Sequence, residues 1–271
     1  MVIDTSKVTI IKSSLKIGVF ILLVIKLTTC NPSAHTPVSK NNSNLLAYFP
    51  FDQHANDTVN PQLKGKIYGA TSVEGIKGRG YHFDGIDDYI EIEQSNQSFN
   101  FEYQDAYSIS FWVKPAPQQN DLAVHENDLL SKWVIHDADT SHLKTGYPFS
   151  IRMLNQKSKK RKGKWYLANW GGYIDNCEFG NKIVSESTLQ SQFHHIVFTQ
   201  NKTELKLFLD GQLVSSKENK TMCTTKNNAS LRIGKRGGLK YQNHFAGVID
   251  ELRVYKVALS VVEIAELNRV K

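Results

Sequence analysis

A chain of 271 residues, 40% hydrophobic and 10% aromatic, can build one large β-sandwich or two small domains and is too apolar for general disorder. Its net charge of +7 is uneven: residues 1–29 carry +3 and Lys157 to Lys164 carry +6, leaving about −2 on the rest. That excludes a generally basic surface: one basic loop sits on a near-neutral body, and with no nucleic-acid fold around it a nucleic-acid partner is not expected.

Lys7, Lys12 and Lys16 precede the apolar run Ile17 to Ile25, which is too short to span a bilayer, so residues 1–29 read as an export signal. The run ends in Leu27-Thr28-Thr29-Cys30, which resembles the bacterial lipoprotein box. Lys26 and the bulk of Thr29 depart from that box, and an ordinary cleaved signal or an uncleaved anchor is the other reading. The resemblance implies lipidation at Cys30 and a membrane anchor at the cell envelope or surface, with plain secretion as the alternative. Residues 30–44, rich in Asn, Ser, Pro and Lys, read as a flexible tether. Cys177 and Cys223 either pair in an oxidising compartment, worth about 4 kcal/mol, or stay two unconnected buried thiols. No Cys-x-x-Cys metal spacing exists.

Residues 45–271 form the folded part. Leu45 to Asp52 reads as a strand, followed by a loop from His54 to Gly65. Tyr81 to Gly85 and Asp87 to Ile92 read as strand, turn and strand. Ser108 to Lys114 alternates, with Ile109, Phe111 and Val113 on one face, and Pro115 and Pro117 end it. The middle, from Gln118 to Thr188, is irregular, with strands expected at Leu129 to Val134, Phe149 to Leu154 and Lys164 to Trp170. Phe193 to Ser216 reads as two strands, then Asp210-Gly211 supplying the positive φ angles of a primed turn, then another strand. Leu231 to Gly234 and Phe245 to Tyr255 follow, and Ser260-Val261-Val262-Glu263 is a capping box opening a helix through Leu267. The fold class is therefore all-β: a two-sheet antiparallel jelly-roll sandwich with a short C-terminal helix.

Several segments together are similar to the laminin-G-like jelly-roll domains of the concanavalin A-like superfamily. They are LLAYFPFDQHANDT at 45–58, YHFDGIDDYIEI at 81–92 and SISFWVKP at 108–115, with FHHIVFT at 193–199, LKLFLDGQLV at 205–214 and FAGVIDELRVYKVALSVVEI at 245–264. The resemblance implies a structural Ca²⁺ held by Asp52, Asp57 and Asp250; the other reading has Asp250 accepting backbone N–H bonds and Asp52 and Asp57 serving turns. Asp84, Asp87 and Asp88 read as turn chemistry around Gly85.

Sugars are held by aromatic faces and planar polar side chains, and Trp133, Trp165, Tyr166, Trp170 and Tyr173 concentrate in the irregular middle, with Tyr147, Asn169, Asp175 and Asn176 among them. They form the candidate ligand-binding surface, unless Trp165 and Trp170 fill the core. The run at 157–164 would attract sulfated or uronic polysaccharide, nucleic acid or an acidic lipid surface, or stand as a solvated hairpin tip. Catalytic residues are not expected: the glycanase pattern Glu-x-Asp-x-x-Glu is missing, and His194-His195 reads as sheet packing. The function expected is a non-catalytic surface module binding a polysaccharide or glycoprotein. An adhesion protein contacting another protein is the runner-up, and a glycan-degrading enzyme is third.

Overall fold

The computed structural model describes residues 43–93, 95, 97–117, 126–133, 147–154, 164–170, 180–220, 224–237 and 243–269, and of 164–170, 180 and 186–188 the backbone alone. Cys30, Cys177, Cys223 and Tyr173, with the export signal and 157–163 of the basic run, lie outside the described residues.

The strands are β1 (Leu45–Phe49), β2 (Gly65–Tyr68), β3 (Thr71–Glu74), β4 (Arg79–Asp84), β5 (Tyr89–Ile92), β6 (Tyr107–Pro115), β7 (Glu126–Ser131) and β8 (Tyr147–Leu154). They continue as β9 (Lys164–Trp170), β10 (Gly180–Thr188), β11 (His194–Gln200), β12 (Glu204–Leu209), β13 (Gln212–Glu218), β14 (Leu231–Ile233) and β15 (Ala246–Tyr255), and the helix is α1 (Val261–Leu267). One antiparallel sheet runs β13-β12-β11-β6-β15-β4-β3, with β1 also paired to β15; the second runs β10-β9-β8-β7-β14-β5-β2. This is the expected all-β sandwich.

Alternation decides which face each strand buries. Ile109, Phe111 and Val113 of β6 meet Phe149, Ile151 and Met153 of β8 in the core between the sheets. On the outer side of the first sheet a smaller cluster seats the helix, with Ile264 and Leu259 over Val197, Phe208 and Tyr255. Ser260 caps α1 in a full capping box with Glu263, as its sequence requires. The turn between β12 and β13 has φ of 49° at Asp210 and 78° at Gly211, joining Leu209 to Gln212 as a primed two-residue hairpin. Leu205 and Leu207 enter the core, while Phe208 faces the helix.

Three strands were not legible in the sequence. β2 and β3 have four residues each and are largely exposed, so neither shows a clean apolar alternation. β10 carries a single isoleucine, Ile183, in the core. β7 begins three residues earlier than expected, because a bulge between Asp128 and Leu130 lets Leu129 and Leu130 both reach the core. Among the described residues, no helix is long and apolar enough to cross a membrane.

Candidate functional site

The outer face of the second sheet is where charge and aromatic residues meet. Because Ile151 and Met153 of β8 point inward, Ser150 and Arg152 emerge on the other face, and Asp128 of β7 pairs with Arg152 in register. Asp128 is completely buried there. Its Oδ2 accepts from Ser150 Oγ at 2.8 Å and Arg152 Nε at 3.4 Å, and its Oδ1 accepts from Arg236 Nε at 3.0 Å. Arg236 Nη2 also donates to Glu126 Oε2 at 3.0 Å, and Arg152 Nη1 lies 3.7 Å from the same oxygen. Two carboxylates and two guanidiniums thus form an ionic quartet. Removing one member of such a buried network would cost about 3–5 kcal/mol, since it strands a charge away from water.

The aromatic residues sit on this quartet. Both guanidiniums approach the ring of half-buried Trp133, with Cζ of Arg152 at 5.3 Å and Cζ of Arg236 at 5.2 Å from its centroid. Tyr147 lies 5.4 Å from Trp133, and its hydroxyl accepts from Arg152 Nη2 at 3.4 Å. Burial pushes the Tyr147 phenol up, against the pull of Arg152 beside it, so it stays protonated. In β9, Tyr166 occupies the register position opposite Arg152 and Trp170 the position opposite Tyr147, while Trp165 pairs with Met153. The structure therefore gathers Trp133 and the backbone positions of Tyr166 and Trp170 about one cluster. Trp165 instead shares the register of a core residue.

The calcium candidates are arranged differently. Asp250, with no exposure, accepts from Ile76 N–H and Lys77 N–H through Oδ2, at 2.9 and 3.2 Å, and from Glu251 N–H through Oδ1, at 2.8 Å. Asp52 accepts from Arg79 N–H at 3.0 Å, and Asp57 Oδ1 from Tyr48 and Val59 N–H, each at 2.8 Å. These N–H donors take one oxygen of Asp52, one of Asp57 and both of Asp250, while Asp57 Oδ2 is buried with no hydrogen-bond partner. A Cβ at Gly78 would lie 1.9 Å from Asp52 Oδ1 and one at Gly75 2.3 Å from Asp250 Oδ2, so the 75–79 turn is closed down onto both side chains. Asp52, Asp57 and Asp250 do not gather their oxygens within 4.8 Å of one another, so the three do not fit a shared calcium site. Among the described residues, the group of three acids whose oxygens all lie within 4.8 Å of one another is Asp84, Asp87 and Asp88. There Asp84 Oδ1 accepts from Ile86, Asp87 and Asp88 N–H, and these bonds outweigh burial to hold its carboxyl below the usual range.

The histidines belong to the first sheet. His194 Nδ1 and the main-chain N–H of His195 both meet Asp210, at 2.8 Å each, so the hairpin turn clasps the start of β11. His195 Nε2 lies 2.8 Å from Ser110 Oγ, its ring stacks on Trp112, and its Nδ1 has no hydrogen-bond partner. Burial, then Arg253, hold this imidazole at about 4, so it is neutral at pH 7. With the carboxylate bound to the neighbouring histidine, and Ser110 and His195 sealed from solvent, this is packing and not a nucleophile with its base.

Sequence reasoning missed Glu126, Asp128, Arg152 and Arg236. The signal was present in part: Ser150 and Arg152 alternate with Phe149, Ile151 and Met153, which marks a strand with a polar face. It also missed a stacked pair, Tyr68 and Tyr89, farther along the same face.

The family described as the concanavalin A-like lectin/glucanases superfamily (Laminin_G_3) matches residues 84–265. Paraclostridial mosquitocidal protein 1 of Paraclostridium bifermentans is 25% identical over 202 residues, 73% of this chain but 15% of that protein, and its binding domain superposes with a TM-score of 0.63 at 19% identity over 83% of this chain and 52% of that one. Domain 4 of AbnA, an extracellular arabinanase from Geobacillus stearothermophilus, solved with arabinotriose, has a TM-score of 0.59 at 19% identity over 83% and 98%. The botulinum neurotoxin serotype D ligand binding domain, solved with N-acetylneuraminic acid, has 0.61 at 13% identity over 83% and 50%. At these identities the solved structures bear on fold alone. With its sandwich, its strand order and a match across most of residues 45–271, the chain belongs to the concanavalin A-like lectin/glucanase superfamily.

Proposed function

We propose that this chain is a non-catalytic surface binding module that recognises a glycan or glycoprotein through the outer face of the second sheet around Trp133. The observation that carries the reading is the half-buried Trp133, held by two guanidiniums over a fully buried Asp128, with the Tyr166 and Trp170 positions beside it. A rigid aromatic with fixed polar neighbours is the arrangement that reads a sugar ring and its hydroxyls. The arabinotriose and N-acetylneuraminic acid complexes of the structural neighbours support a saccharide as the ligand class. Glu126 and Asp128 are each tied to both guanidiniums, which supports binding over glycosidase chemistry, where one carboxyl must stand ready as an acid.

Calorimetric titration with arabinotriose and a sialoside, alongside a glycan array, tests it. Trp133→Ala should weaken binding at least tenfold while the fold, checked by circular dichroism, persists. Absence of any glycan ligand would sink the reading and leave adhesion to a protein. The sequence at Leu27 to Cys30 further supports a lipid anchor that holds the module at the cell envelope. Labelled palmitate should enter the native chain and be lost in Cys30→Ser; label persisting in that variant would rule the anchor out.

A further inference from the structure

Trp133 lies two residues past the end of β7, and its main chain is held from both sides. Before it, Lys132 N–H still donates to the Phe149 carbonyl at 3.2 Å. The peptide unit that enters Trp133 carries the Lys132 carbonyl, and buried Asn227 donates to that oxygen through Nδ2 at 2.9 Å. The Asn227 side chain is fixed in turn: its Oδ1 accepts from Ala229 N–H at 2.9 Å and from Lys132 Nζ at 3.5 Å. Its main-chain N–H donates to Asn100 Oδ1 at 2.8 Å. Lys132 Nζ also donates to the Ala229 carbonyl at 2.8 Å, so residues 227–229 and the residue before Trp133 grip each other.

The peptide unit that leaves Trp133 meets Gly237. A Cβ at that glycine would lie 1.4 Å from the Trp133 carbonyl oxygen, so a larger residue could enter only by turning the unit. Peptide units are planar, so with both of them set the Trp133 Cα keeps little freedom, and the main chain aims the indole as the two arginines do. The Lys132 ammonium has no exposure, and burial pushes it down to about 8, which leaves it charged at pH 7. Burying that charge is costly where an apolar side chain would not be, which marks Lys132 as more than core filling.

We propose that Lys132, Asn227 and Gly237 are positioning residues for the Trp133 platform, acting on a ligand only through the orientation of the indole. The inference rests on the glycan-binding reading for the ligand, while the positioning of the ring stands on this geometry alone.

Fluorine NMR of the full chain labelled with 5-fluorotryptophan tests it, the Trp133 resonance among the four being assigned by its loss in Trp133→Phe. Asn227→Asp keeps the acceptor oxygen and removes the donor to the Lys132 carbonyl, so it should shift or broaden the Trp133 resonance. Gly237→Ala and Lys132→Met should do the same. Asn201→Ala, which removes three comparable bonds from the turn before β12, should leave that resonance unmoved. Titration with arabinotriose and a sialoside should then show binding weakened threefold or more in Asn227→Asp and unchanged in Asn201→Ala. A Trp133 resonance that stays in place in folded Asn227→Asp and Gly237→Ala, or that moves as far in Asn201→Ala, overturns the proposal. So does a moved resonance with glycan affinity unaltered. A moved resonance in a protein whose native form binds neither sugar sinks the glycan reading and leaves the positioning of the ring standing.

Discussion

At Asp250 two demands compete. Burial pushes the carboxyl up to about 7, and Glu251 beside it pushes the same way, while N–H bonds from Lys77, Glu251 and Ile76 favour the charged form. A carboxyl raised from an unfolded value of about 4 contributes stability that is full below that value and is lost as pH rises to about 7. His195 runs the other way: held at about 4, its contribution is present above about 6.5 and is lost as pH falls toward 4. Asp250→Asn isolates the first effect, because it keeps the shape and removes the titration. Between pH 4.5 and 7.5 the native protein should lose stability relative to this variant, by an amount on the order of 1–4 kcal/mol at about 1.4 kcal/mol per unit of pKa. Thermal melts across that range check it. A difference that does not change with pH would mean that the three N–H donors keep Asp250 ionised throughout.

At the scale of elements, legibility followed the strength of the alternation. β6, β11, β12 and α1 could be read because Ile109, Phe111 and Val113, then Leu205 and Leu207, mark a buried face, and because Asp210-Gly211 and the Ser260 capping box are local chemistry that needs no tertiary partner. β2 and β3 could not, since Lys66, Thr71 and Ser72 are exposed and their pairing is fixed by β5 and β4 far along the chain. The bulges were equally hidden. In β15 the register shifts between Asp250 and Arg253, where Glu251 adopts φ of 54° with its carboxylate buried against Arg253 and the Tyr48 hydroxyl. Nothing in VIDELRV announces that kink. The site suffered most from this limit. Trp133 was legible as an aromatic in a polar stretch, but its partners Arg152 and Arg236 lie on β8 and just after β14, and only the fold brings them over one ring.

Across the whole molecule, the carboxylates the resemblance nominated for calcium are spent on tying strand ends and turns together. Asp57 holds the main chain at Tyr48 and Val59, Asp52 holds Arg79, and Asp250 holds the turn at Ile76 and Lys77 to β15. These bonds fix the loops without a cation, and Asp57 Oδ2 is the one buried oxygen of the three side chains left without a partner. Calcium should therefore leave the fold's stability unchanged, and melting in excess calcium and in excess chelator should coincide. A site of ordinary affinity would give a clear contrast. At a hundred times its dissociation constant a ligand adds about 2.7 kcal/mol, which for a domain of this size raises the midpoint by roughly 5–10 °C. A rise of that kind, abolished in Asp250→Asn, would restore Asp250 as a ligand and show that its N–H bonds yield to the ion. A rise abolished only in Asp87→Asn would instead place calcium at the Asp84, Asp87 and Asp88 turn.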